Sequence, residues 1–239
     1  MDIPALIAIF VIVSAAATLQ GAVGYGLNII AAPLLMLLEP DLVPGPIILA
    51  ALVLTLLMIW RNRSGVDLHG VGWMIVGALP GTALASLMLP YIPVRVISYA
   101  LAGLVLLGVV ISLSGVHFPA RRWILLVAGF VSGYGSTLAS IGGPPVALIN
   151  QDLPGPRLRA TLATYFTLLS IVSIVSLVPA GRFGGHELQL SLVLLPGVFL
   201  GFLLSGPLSR YLDRGYTRTA ILAVSAAAAV LLIVQQALK

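Results

Sequence analysis

One phrase occurs twice in this chain at a fixed spacing, and that repetition constrains the fold more than any bulk property. Gly24-Tyr25-Gly26-Leu27-Asn28 returns in degenerate form as Ser140-Ile141-Gly142-Gly143-Pro144, and Leu79-Pro80-Gly81 returns intact as Leu195-Pro196-Gly197. From 24 to 140 and from 79 to 195 the offset is 116, and the same offset places Pro40 on Pro156, Leu42 on Leu158 and Leu84 on Leu200. The chain therefore reads as two repeats, 1–115 and 116–239, forming one membrane domain. Each repeat carries a Gly/Pro break inside an apolar segment, the pattern that marks a binding site in duplicated membrane folds.

Composition fixes the solvent. Hydrophobic residues make up 60% and charged residues 8% of 239, against roughly 45–50% and about 25% in soluble domains. The expected class is an all-α integral membrane protein with no room for a soluble domain. The absence of cysteine excludes disulfides and thiolate chemistry. A net charge of +5 could suggest nucleic acid, but the basic residues fall between apolar segments, where they report topology. The first charged residue is Asp2 and no Lys or Arg precedes the first apolar run. That run reads as a membrane helix of the mature protein rather than a signal peptide.

Apolar blocks are expected at 3–38, 46–60, 71–90 and 96–114, then at 123–150, 160–179, 189–209 and 217–238. As one straight helix, 3–38 would run about 54 Å against a hydrocarbon core of about 30 Å, so it must break, and Gly21, Gly24 and Gly26 mark where. The basic residues discriminate between topologies. If each interrupted block crosses once, six lie on either side and no orientation is favoured. If each is a hairpin, Arg61, Arg63, Arg121, Arg122, Arg157, Arg159, Arg210, Arg214 and Arg218 share one side, facing Arg95, Arg182 and Lys239 on the other. Nine against three is the asymmetry of the positive-inside rule. The expected fold is two inverted repeats, each an interrupted hairpin plus three transmembrane helices. Both termini face outward, and the joining loop, with His117, is cytoplasmic. Segments 27–38 and 144–150 are too short to span, which favours re-entrant hairpins.

Hairpin tips that meet near the midplane leave helix N-terminal amides for a ligand to satisfy, and the dipoles there favour an anion. Gly24, Gly26, Gly142 and Gly143 allow close backbone approach, and Pro144 and Pro145 suit a first helical turn. Polar side chains gather at the same places: Gln20, Tyr25 and Asn28 in the first tip, then Tyr134, Ser136, Thr137 and Ser140 in the second, with Asn150 and Gln151 closing the second hairpin. Asn28 and Ser140 are expected to tolerate Leu without loss of folding. Gly77/Gly81 and Gly197/Gly201 have the spacing of close helix packing. No Asp or Glu falls within an expected span, and His69, His117 and His186 are placed in loops. An intramembrane serine protease or a metal enzyme therefore lacks its parts. No cofactor and no metal are expected.

Gly24-Tyr25-Gly26-Leu27-Asn28 followed by Pro33 resembles the Gly-x-Gly-Gly-Gly-(x)4-Pro signature of the TauE/SafE sulfite exporter family. Ser140-Ile141-Gly142-Gly143-Pro144-Pro145 resembles its second-half signature more closely, and the likeness extends over the whole chain. It implies transport of a small sulfur-containing anion: sulfite, a sulfonate or sulfoacetate. It places the glycine-motif site on Gly24, Gly26, Asn28, Gly142, Gly143 and Pro144. Leu27 and Asn28 depart from the usual glycines. With the residues read above, the binding set is Gln20, Gly24, Tyr25, Gly26, Asn28, Ser136, Thr137, Ser140, Gly142, Gly143 and Pro144, with Arg157 and Arg159 at a cytoplasmic entrance. The expected partners are a small anion, the lipid bilayer of a bacterial-type inner membrane and a second copy of the chain as a homodimer, not nucleic acid. An anion channel and a non-transporting membrane scaffold are the alternative functions.

Overall fold

The computed structural model describes residues 2–61, 65–114, 120–150, 153 and 155–212, together with 226, 227, 230, 233 and 234. Arg63, His117, Gln151, Arg214, Arg218, Lys239 and the expected helix over 217–238 lie outside the described residues, those five positions excepted. Among the described residues the chain is helical throughout, with no strand. Among the described residues, four helices are long and apolar enough to cross a membrane: Ile3–Val23, Leu68–Tyr91, Gly155–Leu177 and Gly185–Ser209.

The first apolar block divides where glycine permits. Helix α1 (Ile3–Val23) starts under an Asp2 cap whose Oδ1 accepts the Ala5 amide at 3.0 Å, and it stops at Gly24, where φ is +107°. Gly26 follows at φ +130° and opens α2 (Leu27–Leu38). Both values lie where a side chain is strained. A 3₁₀ turn over Pro40–Leu42 leads to α3 (Gly45–Arg61). Helix α4 (Leu68–Met88) is capped by Asp67, and α5 (Val94–Leu113) follows Pro93. The second block divides in the same way. Helix α6 (Arg122–Ala139) ends at Ser140, whose φ is +61°, and α7 (Gly143–Ile149) begins three residues later with its prolines in the first turn. Positions 24 and 140, one offset apart, both hold left-handed helix ends.

Helix α8 (Gly155–Leu177) starts five residues before the expected boundary. Gly155-Pro156 suits a helix start, because proline's missing N–H has no partner to lose there. Arg157 and Arg159 are therefore helical rather than in a loop. Likewise α9 (Gly185–Leu212) starts early and carries Pro196 and Pro207 within it. His69 and His186 correspondingly lie in first helical turns, not loops.

Packing joins the two breaks into one body. Helix α4 lies along α6, α1 lies along α9, and α3 lies against α8. The first pair approaches so closely that a Cβ on Gly77 or Gly81 would collide with the Leu126 or Phe130 carbonyl. One on Gly129 or Gly133 would collide with the Met74 or Ala78 carbonyl. At the second pair, Gly197 and Gly201 meet Val13 and Ala17. In lipid, helix association draws on such close contact because the surrounding chains are as apolar as the helices. Exposed Tyr91 and Trp123 sit at helix ends, where amphipathic rings reside at the headgroup level.

Replacing Gly133 by Leu is expected to destabilise the protein by about 3 kcal/mol or more, because backbone has to move. Gly72→Ala, which meets nothing within 4 Å, should be neutral or raise the melting temperature slightly. Thermal denaturation in detergent compares the two. Equal melting temperatures would contradict the close crossing.

Candidate functional site

Where α1 stops, its last turn leaves carbonyls without helical partners. Gly24 N–H returns to Gln20 O at 2.7 Å. Arg61, at the end of α3, donates Nη2 to Gly21 O at 2.9 Å and Nη1 to Phe202 O and Ser205 Oγ, each at 3.0 Å. Its guanidinium also sits 4.5 Å above the Phe202 ring. Arg159, only 9% exposed, donates Nη1 to Ala22 O at 3.1 Å. Two cations thus hold the negative end of the α1 dipole.

The second break is held by neutral groups. Asn28 Nδ2 donates to Ser140 O at 2.7 Å, and Ser132 Oγ donates to Gly142 O at 2.6 Å. Ser140 N–H bonds Ser136 O at 2.8 Å and Ile141 N–H bonds Gly135 O at 3.1 Å, the arrangement of a left-handed helix end. The Ser140 hydroxyl donates to Pro44 O at 3.2 Å. Asn28 and Ser140 therefore tie the breaks together. Ser140 is also buried and left-handed, so the expected tolerance of Leu at both positions is corrected: each substitution costs structure.

Between the breaks lies a cavity with ≈ 30 Å³ of space for water centres, more than one water requires. Its lining includes eight residues of the expected binding set: Gln20, Tyr25, Gly26, Asn28, Ser136, Ser140, Gly142 and Gly143. Gly24, Thr137 and Pro144 are absent from it. Gly24 backs onto Arg159, the Thr137 hydroxyl shares a 3.0 Å hydrogen bond with Ser173, and Pro144 lies in the first turn of α7. Arg157 is exposed at the start of α8, beside Gly65. The buried Arg159 guanidinium reaches the end of α1.

Four lining side chains hold a polar atom without a partner among the described residues: the acceptor Asn28 Oδ1 and three groups able to donate. Gln20 accepts the Leu27 amide through Oε1 at 2.8 Å, which leaves its Nε2 without a partner among the described residues. The hydroxyls of Ser136 and Ser170 also make no hydrogen bond there. These residues are 5%, 6% and 5% exposed, and buried polar groups are normally satisfied. The amides of Asn28 and Ile29, in the first turn of α2, have no helical acceptor either. Every ordinary donor at this point is neutral, because the lining contains no Asp, Glu, His, Lys or Arg. Ile29, Ala51, Phe166 and Leu169 form its apolar wall.

Sequence reasoning missed this wall and Ser170. A signal was present: α8 carries a hydroxyl residue at every third position from Thr161 to Ser176. Thr161 accepts the Asp67 amide, Thr164 bonds Ala160 O, Thr167 bonds Thr55 and Ser173 bonds Thr137. Ser170 is the buried member of this series that faces the cavity without a bond. No group of three potential metal ligands comes together among the described residues.

Arg61→Leu is expected to lower stability by about 3 kcal/mol, since it removes charge-assisted bonds at three acceptors. Arg61→Lys should recover only part, because an ammonium cannot reproduce the forked geometry. Chemical denaturation of the two variants checks the order. Full recovery by Lys would contradict the clasp.

A family model described as sulfite exporter TauE/SafE matches residues 9–232. No curated protein and no solved structure matches the chain.

Proposed function

The chain belongs to the sulfite exporter TauE/SafE family of membrane permeases, and on that premise we propose that it carries a small sulfur-containing anion, held in the cavity between the two helix breaks. The observation that carries this reading is the set of unused donors at Gln20, Ser136 and Ser170. Unpaired donors in a buried space cost free energy until a ligand or water satisfies them. An oxyanion accepts from all of them, and the positive end of α2 adds to its binding. The apolar wall from Phe166 to Leu169 suits the uncharged side of such an ion.

The same proposal includes orientation. The two halves are read as inverted repeats with re-entrant breaks: α2 and α7, of 12 and 7 residues, measure about 18 and about 10 Å, short of a span. By the positive-inside rule the distribution of basic residues supports both termini outside and Arg157 on the cytoplasmic side of an inner membrane. Arg157, exposed in the first turn of α8, draws anions toward the entrance, while Arg159 serves from within by holding Ala22 O. A second copy of the chain completes the proposed assembly.

Ser136→Ala and Ser170→Ala should each reduce sulfonate or sulfite flux in proteoliposomes about tenfold, the equivalent of one charge-assisted hydrogen bond, with unchanged melting temperature. Wild-type flux in both would remove the cavity from the transport path. The lack of native cysteine makes topology directly measurable. A single Cys at position 157 should react with an impermeant maleimide only from the cytoplasmic side, and one at 182 only from outside. The reverse pattern would invert the orientation.

A further inference from the structure

The cavity constrains the ligand's charge as well as its size. Resting on the transport reading above, we infer that the site takes its substrate as a monoanion: hydrogen sulfite rather than the sulfite dianion, or a sulfonate the size of methanesulfonate.

The argument begins with how desolvation and attraction scale. Removing an ion from water costs in proportion to the square of its charge, so a dianion costs about four times as much as a monoanion of the same size. Attraction to fixed neutral dipoles grows only in proportion to the charge, so it doubles. A site balanced for one charge is therefore unfavourable for two unless a cation touches the ligand. Here the lining donors are the Gln20 amide, two serine hydroxyls and the α2 amides, and no cationic side chain is among them.

The nearest cations are turned elsewhere. Arg61 and Arg159 lie behind the last turn of α1, where they bind Gly21 O and Ala22 O. Their field reaches the cavity, but that attraction also grows only linearly with ligand charge. Glu39, Asp41, Asp67, His69, His186 and Glu187 lie in loops or first helical turns of the elements packed around the site. None lines the cavity, so any change of affinity near neutrality has to come from the ligand.

Geometry narrows the class further. Gln20 on α1, Ser136 on α6 and Ser170 on α8 supply three side-chain donors from three helices. Three donors correspond in number to the three oxygens of a sulfonate or of hydrogen sulfite, and Ile29, Phe166 and Leu169 offer an apolar surface to its fourth substituent or lone pair.

Equilibrium titration of the purified full chain with methanesulfonate, sulfite and sulfate tests the inference across the ionisation of hydrogen sulfite. Methanesulfonate is a monoanion throughout, and its Kd should stay constant. The apparent Kd for total sulfite should rise about tenfold per pH unit above that ionisation, as the competent fraction falls. Sulfate, a dianion throughout, should bind at least about a hundredfold more weakly than methanesulfonate. A sulfite Kd that holds steady or falls as the dianion accumulates overturns the monoanion inference, as does sulfate binding as tight as methanesulfonate. A methanesulfonate Kd that drifts with pH would place the titration on the protein and overturn it too. In those cases the transport reading stands. Failure of methanesulfonate and sulfite to bind at any pH overturns both.

Discussion

The carbonyls of Gly21 and Ala22 are released where α1 stops inside the protein, and the guanidiniums of Arg61 and Arg159 bind them. Much of the site depends on that clasp. A helix that ends within an apolar interior leaves backbone groups that water cannot reach, and each costs free energy if unpaired. Capping the carbonyl end with cations lets the chain turn through Gly24 and Gly26 and start α2 with free amides facing a cavity. Gln20 completes the turn by capping Leu27 with one end of its amide, and its other end remains for a ligand.

The second break solves the same problem without charge. Asn28 crosses from the first break to Ser140 O, and Ser132 holds Gly142 O. Positions related by the 116-residue offset thus have similar backbone geometry and different chemistry: cations on one side, amide and hydroxyl on the other. The close crossings of α4 with α6, where backbone meets backbone, and of α1 with α9, where Gly197 and Gly201 admit Val13 and Ala17, hold the helices that carry these ends.

Much of this was legible in the sequence, for identifiable reasons. Gly24 and Gly26 mark a break because positive φ selects glycine, and Pro144 and Pro145 mark a helix start because proline loses nothing there. The all-α membrane class followed from composition, and the family followed from the two glycine signatures. The first turn of α8 is not legible in the sequence, because Gly-Pro suits a loop as well as a helix start, and so Arg157 and Arg159 prove helical against expectation. The partner of Arg159 was out of reach, since Ala22 lies 137 residues away and only tertiary packing brings them together. Ser170 was hidden for a different reason: a helical serine ordinarily bonds a carbonyl of its own helix, and nothing local shows that this one does not.

The central claim is that the anion sits between the two breaks, on Gln20, Ser136 and Ser170. Selenite is a heavier analogue of sulfite, and its anomalous scattering locates it directly in crystals of the protein. The account predicts one selenium peak within hydrogen-bonding range of those three side chains. A peak confined to the surface arginines, with the cavity holding water alone, would contradict it.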